Sequence, residues 1–134
     1  MKKIRTVMIE PRKEPYVKWL DLSITAFDEA VSKGCGFKCH AKAKKLKKNI
    51  YILYAEENTS LLFAANRRIN EDIISGVFYI VKAKKGLVSS LSDRQAKKYI
   101  AMFEEPDEFT EDELLTYCLD SIYKDLDNLH FEEL

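Results

Sequence analysis

The chain has 134 residues, 46% of them hydrophobic and 33% charged, which suits one domain with its own core. Twenty-two Lys+Arg balance 22 Asp+Glu, so the formal net charge is zero. A zero excludes a histone-like polycation and an acidic mimic of DNA, and only 4 Gly and 3 Pro exclude a low-complexity or fibrous chain.

Residues 3–9 are rich in β-branched side chains and predict a strand. Pro11 and Pro15 bracket a turn, and Tyr16 to Asp21 reads as the return strand of a hairpin. Ser23 is placed to cap a helix over about 24–32, which Gly34 would end. Over 35–48, Phe37, Cys39, Ala41 and Ala43 alternate with Lys38, His40, Lys42 and Lys44. That alternation favours a strand followed by a lysine-rich turn, although Ala and Lys also suit a short helix.

Ile50 to Ala55 predicts a strand, Glu56 to Asn58 a turn, and Leu61 to Ala65 the return strand. Ile73 to Val81 predicts another strand, with Gly76 inside it marking a bulge or a close backbone approach. Lys82 to Gly86 reads as a turn. Ser92-Asp93-Arg94-Gln95 is a capping box that opens a helix over about 93–104, and Thr110 to Glu113 is a second one beyond Pro106. From there Leu115, Cys118, Ile122, Leu126 and Leu129 form one stripe, which implies an acidic amphipathic helix with that stripe buried. The order is ββαβββ and then two helices. We expect a single α+β domain over 1–134: a mostly antiparallel sheet with helices on one face, a core over 1–104 and an acidic helical extension over 105–134.

Broken up by position, the zero is a cancellation. Residues 1–48 carry +8, residues 49–103 carry +3, and residues 104–134 carry −11. No signal peptide or membrane-spanning run is present, and the three cysteines read as free thiols, so the expected location is the cytoplasm of a bacterial host.

Three segments together resemble a known family. Val7-Met8-Ile9-Glu10-Pro11-Arg12-Lys13-Glu14-Pro15-Tyr16-Val17-Lys18 is similar to the opening of Domain of Unknown Function 3846. Asn66-Arg67, followed by Asp72-Ile73-Ile74-Ser75-Gly76-Val77-Phe78, resembles its Asn-Arg and Asp-Ile-Ile-x-Gly-x-Phe core. Ser90-Leu91-Ser92-Asp93-Arg94-Gln95 resembles its last helix start. The likeness spans about residues 4–103. Two positions depart from it: Lys33-Gly34-Cys35-Gly36-Phe37 stands where the family has a Gly-Gly-Tyr turn, and Ala64 where it has a proline. The resemblance implies an accessory protein of bacteria, phages and mobile elements, and it supplies no mechanism.

Candidate sites are few. Asn66, Arg67 and Arg68 offer a planar fork and an amide for phosphate or carboxylate, or for a partner. The plainer alternative is an Arg67 ion pair with Asp72 or Glu10. Lys33, Lys38, Lys42, Lys44, Lys45, Lys47 and Lys48 make a basic strip that suits nucleic acid in a salt-dependent way. The alternatives there are a solvated edge strand protected by lysines, or an electrostatic partner for the acidic helix. Tyr16 and Trp19 read as core. Cys35, Cys39 and His40 are too few for a zinc site without Cys118 or His130. No catalytic constellation, cofactor motif or metal motif emerges.

The expected function is therefore a non-enzymatic accessory protein of a phage or mobile element that binds a host protein, such as an inhibitor of host defence. Nucleotide sequestration and nucleic-acid binding by the strip are the alternatives. Self-association is compatible with all three.

Overall fold

The computed structural model describes residues 2–33, 38–55 and 65–127. β1 (Lys3–Ile9) and β2 (Tyr16–Asp21) form the first hairpin, with Lys3 opposite Asp21 and Met8 opposite Tyr16. α1 (Ile24–Val31) starts at Ser23, whose hydroxyl accepts the Ala26 N–H at 3.1 Å. β3 (Ala41–Lys47) and β4 (Ile50–Ala55) pair as a second hairpin. Alternation thus prevails over helix propensity in the lysine segment, because Ala41 and Leu46 each find a core to lean on. Asn49, at φ 63, makes the tight turn between the two strands.

β5 (Ala65–Ile69) and β6 (Asp72–Ser75) form a separate two-stranded ribbon. β7 (Phe78–Lys84) and β8 (Leu87–Ser89) follow, then α2 (Asp93–Met102) and α3 (Glu111–Asp127). The expected single strand over 73–81 is therefore two strands in two sheets. Gly76 takes φ +74 and turns the chain from the ribbon into the centre of the main sheet. The run looked continuous because both halves are buried, in different surroundings. A Cβ on Gly76 would meet nothing within 4 Å, so the glycine serves its backbone angle and not a close approach. Gly76→Ala is expected to lower stability by about 1 kcal/mol, read as a lower urea midpoint at unchanged slope. The turn after β7 is only Lys85-Gly86, both left-handed, and it returns the chain into β8, a strand the sequence did not suggest.

The main sheet runs β2-β1-β7-β4-β3, with β8 beside β7. Its two faces carry different cores. Val7, Ile9, Ile52, Phe78 and Ile80 face Ala96, Tyr99 and Phe103 around α2, with Ile69 and Ile74 of the ribbon. Ile4, Met8, Leu53, Tyr79 and Val81 face Ala30 and Val31 of α1. The α+β class stands, but the helices divide between the two faces instead of sharing one. The reason is visible in β7: Phe78 to Val81 are all buried, so both sides of the central strand require cover.

Among the described residues, no helix is long and apolar enough to cross a membrane. α3 also differs from expectation. It buries Leu114, with Glu113, Tyr117 and Cys118 half buried, and turns Leu115 and Leu119 outward. The stripe that looked buried begins one residue too late. The side chains of Ile122 and Leu126, and Leu129 itself, lie outside the described residues.

Candidate functional site

Strands send alternate side chains to opposite faces, yet Asn66 and Arg67 are both buried. The register of β5 against β6 slips between Ala65 and Arg67, and this bulge aims two consecutive polar side chains into the protein. Asn66 donates both amide hydrogens to carbonyls, Ile9 O at 2.9 Å and Gly76 O at 2.7 Å. Its Oδ1 accepts from Arg67 Nη1 at 2.9 Å.

Arg67 is only 1% exposed. Its Nε donates to Phe103 O at 3.3 Å, and Nη2 donates to Phe103 O at 2.9 Å and Lys13 O at 2.7 Å. Nη1 takes Asn66 O at 3.2 Å as well as Oδ1. A guanidinium has five N–H groups, and these five bonds use them all. The fork meets main-chain oxygens and an amide, not Asp72 or Glu10. Burial lowers the Arg67 pKa from its usual value, and the negative charge of Asp107 opposes that shift. The pair joins places that are distant in sequence: the end of β1 with the turn after it, the Gly76 corner and the end of α2.

Arg68 points the other way. It grips Glu113 Oε1 through Nε (3.1 Å) and Nη2, reaches Glu108 O at 3.1 Å, and lies 4.4 Å over the Phe109 ring. Its backbone N–H donates to Asp107 Oδ2 at 2.7 Å. The second capping box is half formed as a result: Thr110 Oγ1 accepts the Glu113 N–H, while the Glu113 carboxylate turns to Arg68. Arg68 is thus the clasp of the acidic helix. A cleft of about 370 Å³ opens beside it, where Lys47 and Arg68 face Glu105 and Asp107. Charges of both signs line that space, so it offers phosphate no uniformly positive field.

Of the seven strip lysines, six are exposed, and Lys44 pairs with Asp72. Tyr117 of α3 reaches the other oxygen of the same carboxylate at 3.4 Å. Cys39 is buried and Cys118 half buried, while Cys35 and His130 lie outside the described residues. Among the described residues, no three His, Cys, Asp or Glu side chains gather as a metal site.

Two of the carboxylates that hold tertiary contacts have lowered pKa values. Asp28 of α1 accepts the Ala41 N–H at 2.7 Å, and this bond, with His40 beside it, lowers its pKa from 3.8. The hydrogen bond from Arg68 lowers Glu113 from 4.5. A carboxylate depressed in the folded state stabilises fully above its ordinary pKa and loses that contribution as pH falls through the lowered value. The urea midpoint is therefore expected to hold from about pH 7 to 5 and to fall below about pH 4, less steeply in Asp28→Asn and Glu113→Gln.

The family described as Domain of unknown function (DUF3846) matches residues 4–104. The chain belongs to this family. No curated protein and no solved structure matches it. In this DUF3846 chain the matched region ends beside Phe103, whose carbonyl receives Arg67, so the Asn66–Arg67 fastening lies wholly within the matched region. The acidic helix, held by Arg68, lies beyond it.

Among the described residues, the main sheet has two outer strands of opposite character. β3 carries lysines and slips register between Lys45 and Lys47, two devices that discourage a further strand. β2 pairs with β1 over six consecutive positions without a slip and leaves Tyr16 40%, Val17 38% and Trp19 47% exposed. Tyr16 and Trp19 are thus edge residues and not core, with the Arg5 guanidinium 4.9 Å over the indole. The direction of the β2 backbone follows from its ends. Leu22 donates its N–H to Lys2 O, while Arg5 directs its N–H to Ser90 and its carbonyl to Leu91, away from β2. Backbone groups alternate, so Lys18 and Leu20 bond inward and the N–H groups of Val17, Trp19 and Asp21 point outward. Sequence reasoning missed this edge because no local pattern says which strand ends a sheet. Its one clue is that apolar residues occupy both faces of Tyr16-Val17-Lys18-Trp19-Leu20.

Proposed function

We propose that this protein is a non-enzymatic accessory protein of a phage or mobile genetic element, and that it binds a host protein by adding a strand of that protein to β2. The observation that carries the reading is the regular β2 edge, with outward N–H groups at Val17, Trp19 and Asp21 beside exposed Val17 and Trp19. An extended segment satisfies such a ladder along its whole length, and its side chains gain apolar contact on either face. The origin in a mobile element rests on the family resemblance. Sequestration of a nucleotide is the weaker reading, because every donor of Arg67 and both amide hydrogens of Asn66 already have partners inside the protein.

The test is a photo-crosslinking amino acid placed at Trp19 or, as a control, at Lys45, in the protein expressed in its bacterial host. One discrete adduct from position 19 and none from position 45 is the expected result. An adduct from 45 alone, or none from either, rejects β2 as the binding edge.

A further inference from the structure

We infer that the outward face of α3 docks on the lysine edge of a second copy of this chain. Both surfaces are described above, and neither is neutralised inside one chain among the described residues. On α3, Leu115 and Leu119 are 43% and 51% exposed, and Glu111, Asp112 and Asp120 surround them. Asp112, Leu115 and Leu119 share the side of the helix opposite Leu114 and Tyr117, with Glu111 at one rim of that face and Asp120 at the other, beside the cleft that Tyr117 lines. On β3, Lys45 is exposed on the face of Ala43, Lys42 on the opposite face and Lys47 beyond the bulge, so the lysines straddle the strand edge, and none of the three has an ion pair among the described residues.

The two surfaces match in sign, length and chemistry. Lys42 to Lys47 covers roughly 17 Å of strand, and Glu111 to Asp120 covers roughly 14 Å of helix. Lysine stems lie well on leucine while their ammonium groups reach the flanking carboxylates. Zero net charge means that two copies approach without overall repulsion, so the local complementarity decides their orientation.

The chain also sets how such a contact closes. β3 and α3 are neighbours within one molecule, because the Asp72 carboxylate takes Lys44 on one oxygen and Tyr117 on the other. A two-fold axis can therefore bring α3 of each copy onto β3 of the other. That arrangement closes as a dimer and does not propagate as a filament. The surface is separate from β2, so the dimer and the proposed host contact do not compete.

The experiment is sedimentation equilibrium at low and high salt, near 30 and 500 mM, which changes the screening length from roughly 18 to 4 Å. The wild type is expected to dimerise at low salt and to dissociate at high salt. Lys45→Glu/Lys47→Glu and Glu111→Lys/Asp120→Lys are each expected to remain monomeric, and a mixture of the two to form a salt-sensitive heterodimer. A monomeric wild type at low salt overturns the inference, whether or not the strip then binds a polynucleotide. So does a dimer that survives both charge reversals. Val17→Pro is expected to leave the dimer intact, so failure here and failure at β2 are distinguishable.

Discussion

Arg67→Met is expected to cost about 4 kcal/mol or more, enough to unfold much of a domain of ordinary stability. The reason is the number of groups left behind. Removing the guanidinium strips partners from the carbonyls of Phe103, Lys13 and Asn66 and from Asn66 Oδ1. A buried acceptor left unsatisfied costs roughly 1–3 kcal/mol, and water has little access to a site that is 1% exposed. Arg67→Lys retains the charge but offers three donors from a single point, so it cannot hold Phe103 O and Asn66 in the same plane. We expect it to lose about 2–3 kcal/mol. Both losses appear in urea denaturation followed by circular dichroism. Arg68→Met, which changes only an exposed clasp, is expected to shift the midpoint far less. If Arg67→Met were no less stable than Arg68→Met, the fastening role of Arg67 would be wrong.

Val17→Pro is expected to abolish strand addition at β2 and leave the fold intact. Proline lacks the N–H, and at Val17 that N–H points outward, so the β1–β2 ladder loses nothing. The ring at the same time removes a donor from the open ladder and stands in the path of an incoming strand. The adduct from position 19 is expected to fall at least tenfold, while the thermal midpoint moves by only a few degrees. Val17→Thr retains the N–H and the branched shape, and we expect it to retain the adduct. Lys18→Pro is the matched control for folding: its N–H faces β1, so it is expected to destabilise the hairpin outright.

The parts of this fold that were legible in the sequence are those set by local chemistry. Ser23 and Ser92 mark two helix starts because a cap is a contact between neighbours in sequence. Alternation over 41–45 identifies a strand because period two is itself local. Gly76 marks the right place but not the right event, since whether a glycine bends one strand or ends it depends on what lies on either side in space. The phase of α3 was missed for a similar reason. Leu114 and Leu115 are adjacent, and which of them faces the core depends on contacts from outside the helix, Arg68 with Glu113 and Asp72 with Tyr117.

The candidate site followed the same division. Asn66-Arg67 stood out as a residue pair, but its role depends on carbonyls from Ile9, Lys13, Gly76 and Phe103, none of which the sequence places nearby. The β2 edge is set by strand order alone. The zero net charge dissolves into +8, +3 and −11 on reading, and the fold shows that only Lys44 of the strip has an ion-pair partner among the described residues.

Amide hydrogen exchange along β2 tests the central claim most directly, first in the free protein and then in the complex captured from position 19. The N–H groups of Val17, Trp19 and Asp21 are expected to exchange rapidly in the free protein, beside slow amides at Lys18 and Leu20, and to become protected on binding. Protection of all five in the free protein, or no change at these three in the complex, would contradict the assignment of β2 as the open edge where a partner strand adds.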